Sequence, residues 1–386
     1  MGKHTIIIGG GGIGSATACF LASMSGPDDR ITVIERDPTY QTASSSLSAS
    51  SIRQQFSTPL NVQLSQFGYT FMRSCSEGGE AGAAVGLNAR GYLFLGRDDQ
   101  AAELKQRTKQ VVELGSSIEE FDTVQLKARF PWLHCGDIAY ASMGRDGEGW
   151  FDGYMLQQLY RSRARAAGVQ YLQGNVTQVL TRGSKVCGIE LTSGERLSAD
   201  QVVNAGGAWS APVARSVDVD LPVHARRRSI FVVSCPQPLK DFPILIDASG
   251  VFVRPEQHHF LCAVVPREED DHDDLPLDPD FRLFDEIIWP TLAERISAFE
   301  ALRVERAWAG YYEFNTADHN GLVGQAGPEG FYVATGFSGH GLMHSAGVGR
   351  GMAELLAYGE YRTLDLSPLS PRRLQTGELI VEDAVY

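Results

Sequence analysis

The sequence has few cysteines, no long apolar run and a deficit of positive charge. Its six cysteines lie far apart with no C-x-x-C pair, so neither a zinc site nor a disulfide framework is indicated. No apolar run approaches the ~20 residues that a membrane helix needs. The 34 Lys and Arg against 47 Asp and Glu give a net charge of −13, which would repel phosphate backbones and anionic lipids. We therefore expect no transmembrane segment, no metal site and no nucleic-acid partner.

The composition is that of a folded protein. Hydrophobic residues make up 43% and charged residues 21% of the 386 positions, close to the averages for globular domains. This length predicts about two domains. A strand pattern begins within a few residues of Met1 and leaves no room for a signal peptide, so we expect a cytoplasmic protein.

The two ends of the chain carry clear periodicity. His4 to Ile8 and Arg30 to Glu35 are predicted to be apolar strands that flank a helix of small residues, Ser15 to Ser23. Near the other end, Phe331 to Thr335 is predicted to be a buried strand, and Met343 to Tyr358 a long helix. Both ends are therefore expected to belong to a dinucleotide-binding fold.

A glycine-rich loop follows the first strand. Gly9, Gly11 and Gly14 have the spacing G-x-G-x-x-G, and Glu35 ends the second strand 21 residues after Gly14. Such glycines permit a tight turn, a close approach of the backbone to a pyrophosphate, and close helix packing. The pyrophosphate would lie at the helix N-terminus. The Glu35 carboxylate would accept hydrogen bonds from a ribose and repel the 2′-phosphate of NADP. The combination favours a dinucleotide site over a structural turn.

Four segments between these ends carry less information. Pro38 to Ser57 is crowded with serines and has too little periodicity for a core element, which predicts an ordered loop. The acidic segment from Arg267 to Asp280 is predicted to be a solvated loop and not a cation site. The basic run Arg226 to Arg228 is interpreted as the solvated start of a strand, with an acidic partner patch as the alternative. Asp285 to Glu300 has helical spacing.

A second glycine-rich turn favours FAD over NAD. Gly336 to Met343 follows a strand and opens a helix. The free amides and the positive dipole end of that helix would face the pyrimidine edge of a flavin, where negative charge develops on reduction. A glycine-rich turn without a ligand is the alternative, and the presence of the first loop makes it less favoured.

Segments spread along nearly the whole chain share a pattern with a known superfamily. They are Ile6 to Gly14, Gly149 to Asp152, Val202 to Ser210 and Gly336 to Met343. These segments resemble the FAD-dependent D-amino acid oxidase superfamily, in particular its branch of sarcosine oxidases, glycine oxidases and dimethylglycine dehydrogenases. A more specific resemblance is to the mitochondrial FAD-dependent oxidoreductase domain-containing proteins associated with assembly of respiratory complex I. Its segments are Arg36 to Tyr40, Gln54 to Ser57 and Trp308 to Tyr312.

The resemblance implies an α/β fold with two domains. A Rossmann-like FAD-binding domain would be discontinuous and comprise residues 1–90, 145–222 and 316–386. A second, α+β substrate domain, built on a large mixed or antiparallel sheet, would comprise residues 91–144 and 223–315.

The resemblance also implies which residues bind FAD. They would follow the ribose, the pyrophosphate and the flavin, meet the adenine end and cover the cofactor. The set is Gly9, Gly11, Gly12, Ile13, Gly14, Glu35, Arg36, Ser44, Ser45, Ser46, Ser48, Val176, Ala205, Gly206, Trp209, Gly339, His340, Gly341, Leu342 and Met343. Serines in a loop are also ordinary turn formers, so a purely structural role stays open for each of the four.

Three positions depart from the better-known relatives. Tyr311 matches the region of the flavin-linked cysteine of covalent sarcosine oxidases, and no cysteine follows Cys262, so we expect noncovalent FAD. Met343 falls where a lysine helps those enzymes to hold the substrate carboxylate. The arginine that glycine and D-amino acid oxidases carry is missing from Tyr311 to Glu313. The familiar bidentate carboxylate clamp is therefore absent.

Four residues are candidates for the reaction itself. By resemblance, Arg53 lies where an arginine of sarcosine oxidase reaches the substrate, and a role in supporting the flavin or at the surface stays open. Glu313 would attract a substrate ammonium or lie solvated at a strand end. Tyr312 would shape an aromatic cage or serve packing. His340 would transfer a proton or act through its backbone amide alone.

The sequence thus predicts an FAD-dependent amine or amino acid oxidase or dehydrogenase. It would oxidise the C–N bond of an amine or N-substituted amino acid to an imine by hydride transfer to flavin N5. The electron acceptor would be oxygen or a carrier protein. One alternative is a flavoprotein that acts mainly as a protein-binding or assembly factor, with FAD largely structural. Another is an NAD dehydrogenase, which would carry no bound yellow cofactor.

Overall fold

The computed structural model describes residues 2–77 and 85–385, so residues 78–84 of the first predicted FAD-binding segment lie outside the described residues. In chain order, the strands are β1 His4–Ile8, β2 Arg30–Glu35, β3 Ser51–Ile52, β4 Tyr92–Gly96, β5 Ile118–Phe121, β6 Tyr140–Gly144, β7 Gly149–Trp150, β8 Gln170–Gln173, β9 Val176–Arg182, β10 Lys185–Leu191, β11 Arg196–Ser198, β12 Gln201–Asn204, β13 Val223–Ser234, β14 Ile244–Ile246, β15 Phe252–Glu256, β16 His259–Ala263, β17 Arg303–Asn315, β18 Leu322–Gln325 and β19 Phe331–Thr335.

The α-helices alternate with these strands. They are α1 Gly12–Ala22, α2 Ser44–Leu47, α3 Pro59–Glu77, α4 Asp98–Glu113, α5 Thr123–Arg129, α6 Gly153–Ala166, α7 Ser210–Arg215, α8 Phe281–Leu283, α9 Trp289–Arg295, α10 Gly341–Tyr358 and α11 Arg373–Thr376. Within the described ranges, no helix combines the length and the apolarity that a membrane crossing requires.

A six-stranded sheet brings the two ends of the chain together. Its strand order is β18, β19, β12, β1, β2 and β8, and all neighbours are parallel except β18 and β19. Helices α1 and α10 pack on one face, and the small sheet of β9, β10 and β11 lies on the other. Because parallel strands end at a common edge, the loops after β1, β12 and β19 meet there, which is where open α/β sheets bind ligands.

A second, eight-stranded sheet has the order β17, β13, β16, β15, β14, β4, β6 and β5. It is mixed, because β14 and β4 are parallel while the other pairs are antiparallel. An aromatic cluster that includes Phe231, Phe242, Phe260 and Phe299 packs against it. The α/β fold class with large mixed sheets is therefore confirmed, and the division into the two proposed domains stays a prediction.

Two segments differ in detail from their sequence patterns. The serine-rich stretch contains α2 and β3, and β3 pairs with β7. The single helix expected over Asp285–Glu300 is interrupted: a π-helical turn precedes α9, and Ile296 adopts an extended conformation after it. Pro290 has no N–H to donate to the carbonyl of Glu286, which accounts for the irregular turn at that point.

Candidate functional site

Two positions of the loop after β1 require glycine. Gly9 has a φ of +91°, and a β-carbon there would lie 2.4 Å from the carbonyl oxygen of Ala205. A β-carbon on Gly14 would lie 1.9 Å from the carbonyl oxygen of Gly9. Helix α1 therefore packs directly on the loop, and the loop packs on the end of β12.

The space in front of this loop is open. A β-carbon on Gly11 would meet nothing closer than Ser45 Oγ, at 3.7 Å. Helix α1 begins at Gly12, and no side chain caps it. Its first backbone amides therefore have no side-chain acceptor, and they face a space that would accept an anion.

A carboxylate and several hydroxyl groups surround the same space. Glu35 accepts hydrogen bonds from the amides of Gly10 at 2.7 Å and Asp37 at 2.9 Å, and each of its oxygens keeps a further lone pair. The buried hydroxyls of Tyr40 and Ser45, which border this space, have no partner in the described structure. Buried polar groups are usually paired, so these oxygens indicate a polar ligand.

The turn after β19 faces this space from the other side. Helix α10 begins at Gly341, and the side chain of its N-cap, His340, does not cap it. Glu313 on β17 holds the turn, because its carboxyl group accepts from Thr335 Oγ1 at 2.8 Å and from the amide of Gly336 at 3.1 Å. Burial raises the pKa of Glu313 to about 7, against the opposing effect of these hydrogen bonds.

Together these elements line a cavity of about 490 Å³, the larger cavity. The predicted cofactor-binding residues line it except Gly14, Ser46, His340 and Met343. Gly14 lies behind Gly9, whereas His340 and Met343 line a neighbouring cavity. The N-termini of α1 and α10 and the carboxylate of Glu35 thus border the same cavity.

An aromatic residue bounds the larger cavity beside β12. The guanidinium carbon of Arg36 lies 3.4 Å from the ring centre of Trp209, and burial lowers the pKa of Arg36. The Trp209 ring in turn packs edge-on against Tyr311, with 5.7 Å between ring centres. Residues predicted to cover a cofactor therefore form a continuous wall with β17.

A second cavity of about 80 Å³, the smaller cavity, adjoins the first. The residues that line both cavities are Ser44, Ser48, Tyr311, Tyr312, Gly339 and Leu342. Ile230, Phe252 and Ala263 from the eight-stranded sheet supply apolar walls. Among its lining residues the charged side chains are Arg53 and Arg228, both buried, and none is Asp or Glu. The charged groups in the lining of the smaller cavity are thus both guanidinium groups.

Arg53 joins three separate parts of the chain. Its Nη1 donates to the carbonyl oxygen of Gln55 at 2.6 Å, and its Nη2 donates to the carbonyl oxygen of Ala384. Nη2 also lies 3.2 Å from Nε2 of His340. The guanidinium carbon stands 3.8 Å from the ring centre of Phe56. These contacts therefore fix the orientation of the Arg53 side chain, which lines the smaller cavity.

His340 is held as a neutral ring. Arginine only donates hydrogen bonds, so Nε2 of His340 is the acceptor and the ring proton lies on Nδ1. Burial, reinforced by the charge of Arg53, lowers the pKa of His340 to about 3. At neutral pH the side chain therefore has no imidazolium proton to give, which favours the interpretation that His340 acts through the start of α10.

The C-terminal segment contributes a carboxylate that the sequence patterns do not single out. Glu382 accepts hydrogen bonds from the amide and hydroxyl of Ser57, from the amide of Thr58 and from the side chain of Asn61. These donors lie at the start of α3, where the first backbone N–H groups have no acceptor within the helix. Local periodicity around Glu382 gives no sign of this role, since its partners are more than 300 residues away.

The basic run and the acidic segment pair with each other. Arg228 makes two hydrogen bonds to the carboxylate of Asp271, at 2.7 and 3.0 Å, and Arg226 lies 2.9 Å from Asp273. The acidic segment therefore lies against β13 and is not simply solvated. The matching of opposite charges in the two runs was the available sequence signal. In the described part of the chain, no group of three or more His, Cys, Asp or Glu is placed to hold a metal ion.

Comparisons with known proteins agree with this geometry. FAD-dependent oxidoreductase domain-containing protein 1 of Xenopus laevis is 36% identical to the chain over 416 residues, covering 98% of this chain and 83% of that protein. Mitochondrial dimethylglycine dehydrogenase of Homo sapiens is 24% identical, covering 96% of this chain and 44% of that protein. The crystal structure of L-proline dehydrogenase from P. horikoshii superposes with a TM-score of 0.86 at 24% identity, covering 98% and 99% of the two chains.

The sequence resemblance is thereby confirmed at the level of the family. The family model described as FAD dependent oxidoreductase matches residues 4–355, which include both glycine-rich loops and both cavities' principal walls. The chain belongs to this DAO family of FAD-dependent oxidoreductases.

Proposed function

We propose that the protein binds FAD noncovalently in the larger cavity and oxidises the C–N bond of a small amine or N-substituted amino acid to an imine in the smaller one. The observation that carries the proposal is the wall common to both cavities, formed in part by Ser48, Tyr312 and Leu342. When bound, FAD supplies the hydride acceptor, atom N5. A substrate in the smaller cavity would be held directly beside it.

The residues of the larger cavity fit FAD. The free amides at the start of α1 would hold the pyrophosphate, and Glu35 would accept from the adenosine ribose. The unpaired hydroxyls of Tyr40 and Ser45 would find acceptors. The amides at the start of α10 would stabilise negative charge on the flavin ring. No cysteine occurs among the described residues that line either cavity, which supports noncovalent binding.

The smaller cavity favours a neutral amine. Its lining has no carboxylate to pair with an ammonium ion, and the guanidinium group of Arg53 would repel one. In the oxidation, the C–H bond next to nitrogen breaks and its electron pair leaves with hydrogen as hydride. The nitrogen lone pair of the neutral amine then forms the C=N bond, and loss of the N–H proton gives the imine. The protein's part is to exclude the charged amine and orient the C–H bond.

The proposal is tested by anaerobic titration of the purified protein with secondary amines and N-methyl amino acids. We expect at least one compound to bleach the flavin absorbance, with readmitted air distinguishing an oxidase from a dehydrogenase by the rate of recovery. Bound FAD that no compound bleaches would contradict the proposal and support the protein-binding alternative. Absence of bound FAD after reconstitution would exclude both.

A pH titration tests the placement of Glu313 beside the cofactor. Because burial raises the pKa of Glu313 to about 7, its carboxyl group loses a proton as pH rises through neutrality, and negative charge appears at the start of α10. We expect the absorbance of bound flavin to shift with an apparent pKa near 7 in the wild type and to be constant in Glu313→Gln.

The matched control is Glu148→Gln. Burial also raises the pKa of Glu148 to about 7, but Glu148 lines neither cavity. This variant should keep the spectral transition of the wild type. A wild-type spectrum that is constant from pH 6 to 8 would show that Glu313 does not ionise beside the flavin.

A further inference from the structure

Arg228 is a buried cation with an unsatisfied donor in the wall of the smaller cavity. Arg228 is 6% exposed, and its Nε has no hydrogen-bond partner in the described structure. Leaving a buried N–H of a charged group unpaired is costly. A ligand that accepts a hydrogen bond in the smaller cavity would remove this cost.

The rest of the guanidinium group is fixed. Nη1 and Nη2 bind the two oxygens of Asp271, and Nη1 also donates to the carbonyl oxygen of Arg227 at 2.9 Å. The guanidinium carbon lies 5.1 Å from the ring centre of Tyr312, which lines both cavities. Asp271 therefore sets the orientation of Arg228, and the bonds described leave two donors, Nε–H and the second N–H of Nη2.

Strand pairing places this side chain beside the reaction space. Arg228 on β13 lies opposite Gly310 on β17, and both line the smaller cavity. A β-carbon on Gly310 would lie 2.9 Å from Cβ of Leu47, so the glycine lets α2 pack closely on β17 beside the cavity. The other arginine of the cavity, Arg53, already donates to two protein carbonyl oxygens.

We propose that Arg228 binds the carboxylate of the substrate through Nε–H, with Asp271 as a positioning residue, so that the substrate is a small amino acid and not a simple amine. This inference deepens the proposed function. The claim that the ligand is the substrate rests on the proposed function, whereas the claim that Arg228 binds an anion rests on the geometry of the cavity alone. Asp271 offsets the charge of Arg228, but hydrogen bonds from a guanidinium group to a carboxylate are charge-assisted, and low dielectric surroundings strengthen them. Ile230 and Phe252 offer an apolar surface to the rest of the molecule.

The test is calorimetric binding of propionate and of propionamide to the purified FAD-containing protein. These two probes differ in charge and have nearly the same shape. We expect propionate to bind at least about 10-fold more tightly than propionamide, because charge-assisted hydrogen bonds are the stronger kind. Equal affinities in the wild type would overturn the proposal, and this result does not depend on any variant.

Substitutions then assign the site to Arg228. Arg228→Met should weaken propionate binding about 100-fold, and Arg228→Lys, which keeps the charge but lacks the forked donor, about 10-fold. Asp271→Asn should weaken it several-fold, and raise the KM for a substrate with little change in kcat. The matched control is Arg226→Met, since Arg226 lies on the same strand near the same acid but outside the cavity. It should change affinity less than twofold.

The outcomes separate this inference from the proposed function. Undiminished propionate binding in Arg228→Met that retains flavin and its unfolding midpoint would overturn the inference. If no amine or amino acid reduces the flavin while propionate binding depends on Arg228, the proposed oxidation fails and the anion site remains. If Arg228→Met loses flavin or unfolds, the inference is tested by propionate binding to Arg228→Lys and by the comparison of propionate with propionamide in the wild type.

Discussion

Replacing Gly11 by alanine is expected to weaken FAD binding strongly without unfolding the protein. The added methyl group meets only Ser45 Oγ, at 3.7 Å, within the protein, and the backbone at Gly11 has an ordinary φ of −66°. The same methyl group would occupy the space through which a pyrophosphate approaches α1. We expect FAD affinity to fall about 100-fold or more, in line with the cost of overpacking. Flavin fluorescence titration and thermal unfolding of the FAD-free protein measure the two effects.

Gly14→Ala should instead damage the fold. Its β-carbon would lie 1.9 Å from the carbonyl oxygen of Gly9, so α1 must move away from the loop. We expect the free energy of unfolding to fall by about 3 kcal/mol, measured by urea denaturation, together with loss of FAD.

Gly136→Ala is the control for both substitutions. A β-carbon at Gly136 would have no neighbour within 4 Å, and its φ is not in the left-handed region. This variant should match the wild type in stability and in FAD affinity. If Gly11→Ala binds FAD as the wild type does, the pyrophosphate does not approach this loop, and the assignment of the larger cavity is wrong.

The sequence predicts those parts of the fold in which local pattern and tertiary structure agree. The bounds of β1 and β2 follow from their apolar runs, because a strand buried between two layers is apolar throughout. Helix α1 begins at Gly12 and not at the predicted Ser15. Glycine is a poor helix former, so helix propensity does not predict the first turn of α1. It forms because α1 packs against the loop at Gly9 and Gly14.

The chemistry of the smaller cavity is not predictable in the same way. Arg228 and Asp271 are 43 residues apart, and nothing local distinguishes Arg228 from its neighbour Arg227. Strand alternation allows only one of these two side chains to face the cavity, and the face is decided by the pairing of β13 with β17. The cofactor loops were predictable because their residues are contiguous. The wall of the smaller cavity was not, because its residues come from several strands and loops that are far apart in the sequence.

Glu382→Gln is expected to be the most destabilising of the conservative substitutions considered. The carboxylate accepts hydrogen bonds at the start of α3 from Ser57, Thr58 and Asn61. An amide in its place would direct an NH₂ group at these donors. We expect the free energy of unfolding at pH 7 to fall by about 3 kcal/mol, the equivalent of about 2.5 pKa units.

The pH dependence of this loss gives the sharper test. Burial opposes ionisation of Glu382, but nearby His340 and Arg53 and the hydrogen bonds that it accepts lower its pKa from 4.5 to about 2. A lowered carboxyl pKa means that the unfolded state binds the proton first, so ionised Glu382 stabilises the folded state above pH 4.5. That stabilisation is lost as pH falls toward 2. The difference between the wild type and Glu382→Gln should therefore be full at pH 7 and fall to less than half of that, about 1.4 kcal/mol, at pH 3.

Glu378→Gln separates this effect from a general change of charge in the same segment. Glu378 is exposed and bonds only to the hydroxyl of Thr376 among the contacts described, and such surface interactions contribute about 0.5 kcal/mol or less. Its stability difference from the wild type should be small at both pH values. A Glu382→Gln variant that is equally destabilised at pH 3 and pH 7 would show that packing, and not ionisation, links the C-terminal segment to α3. A loss that is at least twice as large at pH 7 as at pH 3 would instead show that the ionised carboxylate holds the segment whose Ala384 carbonyl binds Arg53.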